Sequence, residues 1–426
     1  MPTLNVKTAA NIDANIPEYW DKTIVHDADR KSFWSQLAGT EGSKNAVIEK
    51  KELISRPGDK ITFNLVGRHL AKVNTGSAAL AGNEVKLPTG SFAVTVGLRR
   101  TATSREYLVD VESIIDYLKE SWVALRDWSQ RDMDDQVFNE YLNQGEIKTL
   151  YANNRSSRDN LTSGDYLTVT ELKKLWLAAT RRGVEPVQKV GQGLLASPVY
   201  MVALSETDLY QLQADPDYEE DVRHAAIRGD SGAVFRGVVT SMYQGILLYA
   251  FRAVNNGDGM LGSYLRPEAE LLATVTSTGT TITAGPSAVG SATTNVDYWQ
   301  YFPDTGSTAY IRIGSEDMSY TPASGTMPGD TSLTVVRAAN STTGAAHTAG
   351  DLITLRHTGK VLCFGPQSMM RAWARMQNRS TQMEDYENEL GVSIRYVNGV
   401  QQVLGTDSKG RSAVALECWS PSASTI

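Results

Sequence analysis

The segment KITFNLVGRHLAKVNTGSAALAGNEVKLPTGSFAVTVG (residues 60–97) contains two strand-like runs on either side of a polar, glycine-rich tip. KITFNL and SFAVTVG both alternate apolar and polar residues, which is typical of β-strands with one buried face. Hairpins usually close in two to five residues, so this connection is unusually long. One interpretation is a floppy surface loop. The other, which we favour, is an arm that lies on a neighbouring subunit, where new contacts offset the entropy lost on ordering it.

The bulk composition bounds the class of protein. A chain of 426 residues is long enough for two or three domains with substantial cores. Its hydrophobic content of 41% and charged content of 21% are those of a globular protein and exclude general disorder. The formal net charge of −7 argues against tight, sequence-independent binding of nucleic acid, which usually requires a basic excess.

Two cysteines, Cys363 and Cys418, lie in strand-like apolar runs without metal-ligand spacing. We predict two buried thiols in a reducing compartment, with a structural disulfide as the alternative. The first 20 residues lack the charged and apolar regions of a signal peptide. Since no apolar run approaches the roughly 18 residues of a membrane span, we expect synthesis and assembly in the cytoplasm and no membrane partner.

Hydrophobic periodicity and composition divide the chain into successive parts. We predict an N-terminal arm (1–45), an extended loop with flanking strands (46–105), a long helix (106–150), a compact α/β domain (151–267), an inserted all-β module (268–358) and returning strands (359–426). The boundaries of the module follow from an abrupt rise in Ser, Thr, Gly and Ala. The closing strands are expected to rejoin a sheet formed by earlier ones.

Apolar residues recur at intervals of three and four in the long-helix segment, namely Leu108, Val111, Ile115, Leu118, Trp122 and Leu125. The stripe predicts an amphipathic helix over 106–142, begun either by the Thr103–Glu106 pair or near Asp110. At about 1.5 Å per residue, an unbroken helix of this length is a rod of roughly 50 Å.

Shorter helices are predicted in several other places. One follows a cap at Thr168 or Thr170, ends at Gly183 and buries the residues Leu172, Leu175, Trp176 and Ala179. Another is SETDLYQLQADPDYEEDVRHAA (205–226), with an acidic bend, and a third is PQSMMRAWARMQ (366–377). The spacing in 16–39 is loosely helical.

Catalytic motifs occur only as fragments. GQGLLA (191–196) is followed by a proline and a β-rich run instead of the helix that a dinucleotide site needs. GDSG (229–232) is similar to the nucleophile region of serine proteases, but the AAH string at His347 follows this serine, whereas the triad requires its His earlier in the chain, so we interpret GDSG as a turn. An acidic cluster with His224, formed by Asp215, Asp217, Glu219, Glu220 and Asp221, has no EF-hand spacing and fits a solvated helix start. We therefore expect no enzyme activity, cofactor or metal.

The order of these parts, together with several local strings, resembles the major capsid proteins of tailed bacteriophages of the Hong Kong 97 type. The strings are VYMVALSETDLYQLQADPDYEEDVRHA (199–225), GAVFRGVVTSMYQGILLYAF (232–251), CFGPQSMMRAW (363–373), DYENELGVSIRYVNGV (385–400) and VALE (414–417). Two further strings, YFPDTGSTAYIRIGSEDMSYT (301–321) and LTVVRAANSTTGAAHTAGD (333–351), are similar to a small β unit of phage structural proteins.

The resemblance implies an α+β capsid fold with an N-terminal arm, an extended β-hairpin loop, a spine helix in a peripheral domain and an axial domain. It implies a virion shell protein that forms hexamers and pentamers of an icosahedral head around double-stranded DNA, with portal, scaffolding or decoration proteins as further partners. Such a shell is filled by a motor, so its wall need not neutralise phosphate, in keeping with the acidic balance.

By the same resemblance, the hairpin loop lies over the adjacent subunit and bends at Gly76, Gly82 and Gly90. Candidate cations for these inter-subunit contacts are Lys72, Lys86, Arg99, Arg100 and Arg105, and candidate anions are Asp132, Asp134, Asp135, Glu384, Asp385 and Glu387. Such exposed pairs are weak singly, at about 0–1 kcal/mol, but are repeated hundreds of times in a shell.

Two other functions remain open at this point. An encapsulin-like compartment has the same fold and is expected to lack the inserted module. A tail-associated adhesin built around 268–358 belongs to a different class and would be a stable monomer or trimer that binds glycan.

Overall fold

A computed structural model describes residues 32–40, 43, 45–54, 58–66, 84, 86–87, 89–106, 117–144, 147–162, 164–186, 188–190, 197–226, 242–243, 245–251, 268–285, 302, 308–321, 332–356, 359–384, 388–403 and 413–420. These residues form an α+β structure in which strands predominate. They contain four sheets and five α-helices, the first of which, α1, is the short helix Phe33–Gln36.

The peripheral sheet has five strands and supports the long helix. Its order is β1 (Ala38–Gly39), β2 (Val47–Lys50), β19 (Met369–Glu384), β20 (Glu389–Gln402) and β5 (Gly97–Glu106). Helix α2 (Tyr117–Asn139) lies across it and continues as a π-helical turn, Glu140–Gln144. Three residues of the predicted stripe, Leu118, Trp122 and Leu125, pack against Val392 and Ile394 of β20.

The helix predicted over 106–142 is confirmed from Tyr117 onward, and a start at the Thr103–Glu106 pair is wrong, whereas the alternative start near Asp110 lies outside the described residues. Thr103 and Glu106 belong to β5, where they pair with Val392 and Glu389. Their capping-box spacing therefore arises by chance within a strand. Residues 107–116, which include Leu108, Val111 and Ile115, lie outside the described part.

The central sheet combines strands from distant parts of the chain. Its order is β6 (Lys148–Tyr151), β21 (Ala413–Cys418), β18 (Gly359–Phe364), β8 (Ser197–Ser205), β10 (Ile246–Phe251) and β9 (Met242–Tyr243), with β7 (Gln188–Val190) paired to the start of β8. The prediction that closing strands return to an earlier sheet is confirmed, because β18 pairs with β8 and β21 pairs with β6.

Three helices accompany this sheet: α3 (Val169–Arg182), α4 (Glu206–Gln213) and α5 (Pro216–Ala226). Helix α3 begins and ends as predicted, with the Thr168 hydroxyl accepting from the Glu171 amide and Gly183 in the left-handed conformation at φ +85°. The prediction for Trp176 is wrong, since this side chain is 36% exposed. The buried face instead follows Leu172, Leu175 and Ala179.

The third sheet is built from residues 268–355. Its order is β15 (Ser332–Thr334), β12 (Thr281–Gly285), β11 (Glu268–Leu271), β17 (Leu352–Leu355), β13 (Ala309–Ile313), β14 (Glu316–Tyr320) and β16 (Val336–Ala339). Buried alternate residues, such as Ile311 and Ile313 of β13, form its core.

The helix predicted over 366–377 is a strand, because this segment is covered on both faces. Trp373 of β19 packs with Met133 of α2, while Met370 and Ala372 pack on the opposite side, beneath the hairpin of β3 (Lys60–Val66) and β4 (Thr89–Thr95). Apolar residues on both faces of a strand give intervals of three and four that imitate a helical stripe. Backbone pairing of β19 with β2 and β20 makes this segment a strand and not a helix.

Candidate assembly surface

The strands at the start and end of segment 60–97 form a hairpin. Strand β3 (Lys60–Val66) pairs with β4 (Thr89–Thr95) in one continuous antiparallel register from Lys60↔Thr95 to Val66↔Thr89. The base is closed by the Val96 amide, which donates to the Asp59 carbonyl at 2.9 Å. The predicted strands are therefore confirmed. Most of the tip, including Lys72, Gly76 and Gly82, lies outside the described residues.

One face of this hairpin is fixed on its own subunit. Ile61, Phe63, Phe92 and Val94 are buried and pack against Ala372 of β19. The rings of Phe63 and Phe92 are stacked with centroids 5.3 Å apart. The Lys50 ammonium lies 4.7 Å from the centroid of the Phe63 ring, a distance suited to a cation–π contact.

The outer end of the hairpin carries apolar side chains exposed to solvent. Val66, the last residue of β3, is 68% exposed, and Leu87, just before β4, is 50% exposed. Lys86 beside them is also exposed. Gly90 lies within β4 opposite Leu65, so it belongs to the paired strands and not to the connection between them. The hairpin thus has an anchored base and an unburied apolar end.

The predicted cation Arg99 and the predicted anion Asp132 meet within one chain. The Arg99 Nη1 atom lies 3.2 Å from Asp132 Oδ1. The Tyr396 hydroxyl and the Gln136 amide both donate to Oδ2, the latter at 2.6 Å. Burial raises the pKa of Tyr396, and the Asp132 charge raises it further. Asp132 therefore joins β5, α2 and β20 of its own subunit.

Asp134 is the clearest correction to the predicted anion set. Its side chain is 2% exposed and binds the N-terminal segment instead of solvent. Oδ1 accepts from the Ser32 hydroxyl at 2.6 Å and the Trp34 amide at 3.0 Å, and Oδ2 accepts from the Phe33 amide at 2.8 Å. Burial raises the pKa of Asp134, although these bonds oppose the shift. It secures α1, whose Trp34 is fully buried.

The other predicted contact residues have different environments. Arg100 is exposed on β5, and Asp135 on α2 is half-buried and has a partner. Arg105 lies in β5 opposite Leu390, and Glu384 lies in β19 opposite Glu389. Asp385 and Glu387 lie outside the described residues. Within the described part of the chain, the structure brings Arg99 and Asp132 of the predicted set together.

Sequence reasoning missed a buried charge cluster in the third sheet. Glu316 of β14 is fully buried and accepts a bidentate pair from Arg337, with Nε at 2.8 Å and Nη2 at 2.7 Å. The His347 ring lies 2.9 Å from the same carboxylate. The backbone amides of Ala338 and Ala345 also donate to this carboxylate, at 3.0 and 2.9 Å. Burial alone would raise the pKa of Glu316, but these donors outweigh it and lower the pKa to about 2.

The fragments set aside as catalytic are described only in part. GQGLLA (191–196) and GDSG (229–232) lie outside the described residues. In the acidic cluster, Asp215 accepts from the Val169 amide at 2.8 Å, and Asp221 accepts from the Tyr243 hydroxyl. Among the described residues, no group of three or more His, Cys, Asp or Glu could hold a metal ion.

Cys363 and Cys418 lie on the adjacent strands β18 and β21, and both are buried free thiols, as predicted. The alternative of a disulfide between them is wrong. Burial raises the pKa of Cys363 to about 12 and raises that of Cys418 as well, with a further contribution from the Asp208 charge. Within the described residues, no helix is both long and apolar enough to cross a membrane.

Comparisons with known proteins find a similar fold in solved phage capsid structures. No protein-family model and no curated protein matches the chain. A chain of the cyanophage Pam1 capsid asymmetric unit is 13% identical, with 99% of each chain covered and a TM-score of 0.63. A chain of the Helicobacter pylori bacteriophage KHP40 head is 14% identical, covering 97% of this chain and 99% of that one, with a TM-score of 0.62.

A third solved structure, the capsid of Ralstonia phage GP4, is 14% identical over 98% of this chain and 99% of that one, with a TM-score of 0.59. At these identities the likeness concerns the fold alone, and it spans nearly the whole of each chain. The predicted α+β capsid fold is therefore confirmed: this chain folds as the chains of these phage capsids do.

Proposed function

We propose that this chain is the major capsid protein of a tailed bacteriophage. It assembles from a single chain type into hexamers and pentamers of an icosahedral head that encloses double-stranded DNA. Its role is structural, without catalysis, and its location is the virion shell. The observation that carries this proposal is the likeness to phage capsid chains over 97–99% of this chain and 99% of each of theirs.

The hairpin would be the arm that lies on the adjacent subunit in the assembled shell. Its base uses its own subunit's core through Phe63 and Phe92, while Val66 and Leu87 remain exposed at its outer end. Exposed apolar side chains gain roughly 25 cal/mol per Å² when a partner covers them. The neighbour would therefore supply the surface that the subunit itself does not.

Lys86 lies in this arm and Arg100 lies in β5; both are exposed and remain candidates for contacts with a neighbouring subunit. Repeated contacts of the same chain in slightly different settings suit arms and polar pairs that tolerate small shifts. Segment 268–358 would be an inserted module on the shell. Portal, scaffolding or decoration proteins would be further partners of the capsid protein.

Expression of the full chain followed by electron microscopy and sedimentation velocity tests this function. We expect closed shells or capsomer rings and a sedimenting species far heavier than the 46.5 kDa chain. A well-behaved monomer at high concentration, with the hairpin protected from protease, would contradict the proposal. A stable monomer or trimer that binds glycan through 268–358 would favour an adhesin instead.

A further inference from the structure

A cleft of about 670 Å³ lies between strand β6 and helix α3. Strand β6 is at one end of the central sheet among the described residues, and all four of its residues line the cleft. The opposite wall is formed by α3, which contributes Leu177 and Ala178. A sheet edge beside partly apolar side chains is a surface that another chain can cover.

The cleft is strongly basic. Of the 13 residues that line it, one is acidic, Glu171, and five are basic: Lys148, Arg155, Lys174, Arg181 and Arg182. Three of these cations have partners, since Arg155 binds Asp165 at 2.8 Å, Lys174 binds Glu171 at 2.7 Å and Arg182 has an interaction of its own. Lys148 and Arg181 are exposed. The cleft therefore keeps a positive excess after its internal pairs are counted.

The other edge of the same sheet is acidic. Helix α5 carries four exposed acidic residues: Asp217, Glu219, Glu220 and Asp221. Asp221 accepts from the hydroxyl of Tyr243, which lies on the edge strand β9. Burial and the negative charges of Asp221, Asp215 and Asp217 together raise the pKa of Tyr243.

The basic and acidic edges belong to opposite ends of one sheet. Strands β6 and β9 are separated by five strand spacings, or roughly 24 Å at about 4.8 Å each. Each copy therefore carries both halves of a complementary pair. Repeated head-to-tail contacts between copies would satisfy both halves, and such contacts generate rings when the rotation closes.

We propose that the acidic face of α5 on one copy of this chain docks into the basic cleft between β6 and α3 of the next copy. The inference rests on the proposed function, since it requires the chain to assemble. The occupant is a second copy and not nucleic acid, because the whole chain has a net charge of −7 and every copy carries the complementary face.

Charge reversal tests the contact in the full chain. Arg181→Glu changes the cleft, and Glu220→Lys changes α5. We expect each single variant to raise the protein concentration needed for assembly by about threefold to tenfold, because an attractive exposed pair becomes a repulsive one. The double variant should return to within about threefold of the original protein, and added salt should reduce all these differences.

Lys173→Glu is the matched control, because Lys173 is an exposed cation of the same helix that does not line the cleft. We expect it to assemble like the original protein. Circular dichroism and thermal unfolding check that each variant folds, and Lys148→Glu replaces Arg181→Glu if the latter does not.

The outcomes separate this contact from the proposed function. If the original chain assembles but both single variants behave like Lys173→Glu, the contact is overturned and the function stands. Additive losses in the double variant also overturn it. If Arg181→Glu reduces binding of a 30-base-pair duplex while leaving assembly unchanged, the cleft binds nucleic acid instead. An original chain that stays monomeric overturns both proposals.

Discussion

Gly399 of β20 lies against the backbone of Thr95 at the base of the hairpin. A Cβ atom added to Gly399 would stand 2.0 Å from the Thr95 carbonyl oxygen and 2.9 Å from its carbonyl carbon. Only glycine therefore fits between the peripheral sheet and β4. This close approach seats the hairpin on its own subunit and sets where the outer end projects.

Gly399→Ala should unseat the hairpin base. The obstructing atoms belong to backbone, so either β4 or β20 must shift, and overpacking of this kind typically costs about 1–3 kcal/mol. Gly97→Ala is the matched control, because its added Cβ would meet nothing within 4 Å. Urea unfolding of both variants measures the difference. Equal stability of the two would contradict the close approach.

Replacing residues 67–88 with an Asn-Gly turn tests the arm directly. The dipeptide closes a tight hairpin between Val66 and Thr89. Because Ile61, Phe63, Phe92 and Val94 keep their packing, we expect the melting temperature to change little. We expect shells and rings to disappear from electron micrographs. If particles of this variant still form and survive heating unchanged, the arm is not required for assembly.

Asp134→Ala should loosen the N-terminal segment. The substitution leaves the amides of Phe33 and Trp34 without their carboxylate, and hydrogen bonds to a charged group are worth about 1.5–3 kcal/mol. We expect a loss of this size in the free energy of unfolding. Asp134→Asn keeps one accepting oxygen and should lose less. Faster proteolysis before Ser32 in the Ala variant would locate the change, and an unaltered cleavage pattern would argue against it.

Glu316 should make the protein sensitive to acid. Its pKa is lowered from 4.5 to about 2, so its stabilising contribution is complete above pH 4.5 and is lost as the pH falls toward 2. We expect the protein to lose about 2 kcal/mol between pH 6 and pH 3 relative to its Glu316→Gln variant. Urea unfolding at the two pH values measures this. If the original protein and the Glu316→Gln variant lose the same free energy of unfolding, the Glu316 carboxylate is not the cause of the pH dependence.

The two cysteines should be unreactive in the folded protein. The thiolate is the nucleophile, and a pKa of about 12 for Cys363 leaves almost none at pH 8. We expect neither thiol to react with a disulfide reagent until guanidinium unfolds the chain, after which the protein should consume two equivalents of the reagent. A folded Lys173→Cys variant, which has an exposed thiol, should consume one equivalent at once. Reaction of the original folded protein would contradict their burial.

Local sequence patterns were sufficient for several elements. Alternation predicted β3 and β4, and the Thr168 cap with Gly183 predicted both ends of α3. These signals lie within about a dozen residues, because capping and periodicity act between near neighbours along the chain. The order of such elements was enough to suggest the capsid fold.

The same reasoning was wrong where distant segments cover a residue. The sequence 366–377 has helical spacing, yet β2 and β20 pair with it on either side and make it a strand. Pairing of backbone with distant partners overrides local propensity. The basic cleft likewise had no sequence signal, since Lys148 and Arg181 come together only when β6 borders α3.

The sequence by itself determined the hairpin strands, the capped helix α3 and the acidic balance of this protein. Only the tertiary structure decided which charges face solvent: it buried Asp134 under a segment 102 residues earlier and paired Arg99 with Asp132 inside one subunit. The reason is physical. A strand or cap depends on adjacent residues, whereas burial of a charge depends on which distant donors arrive to replace its water.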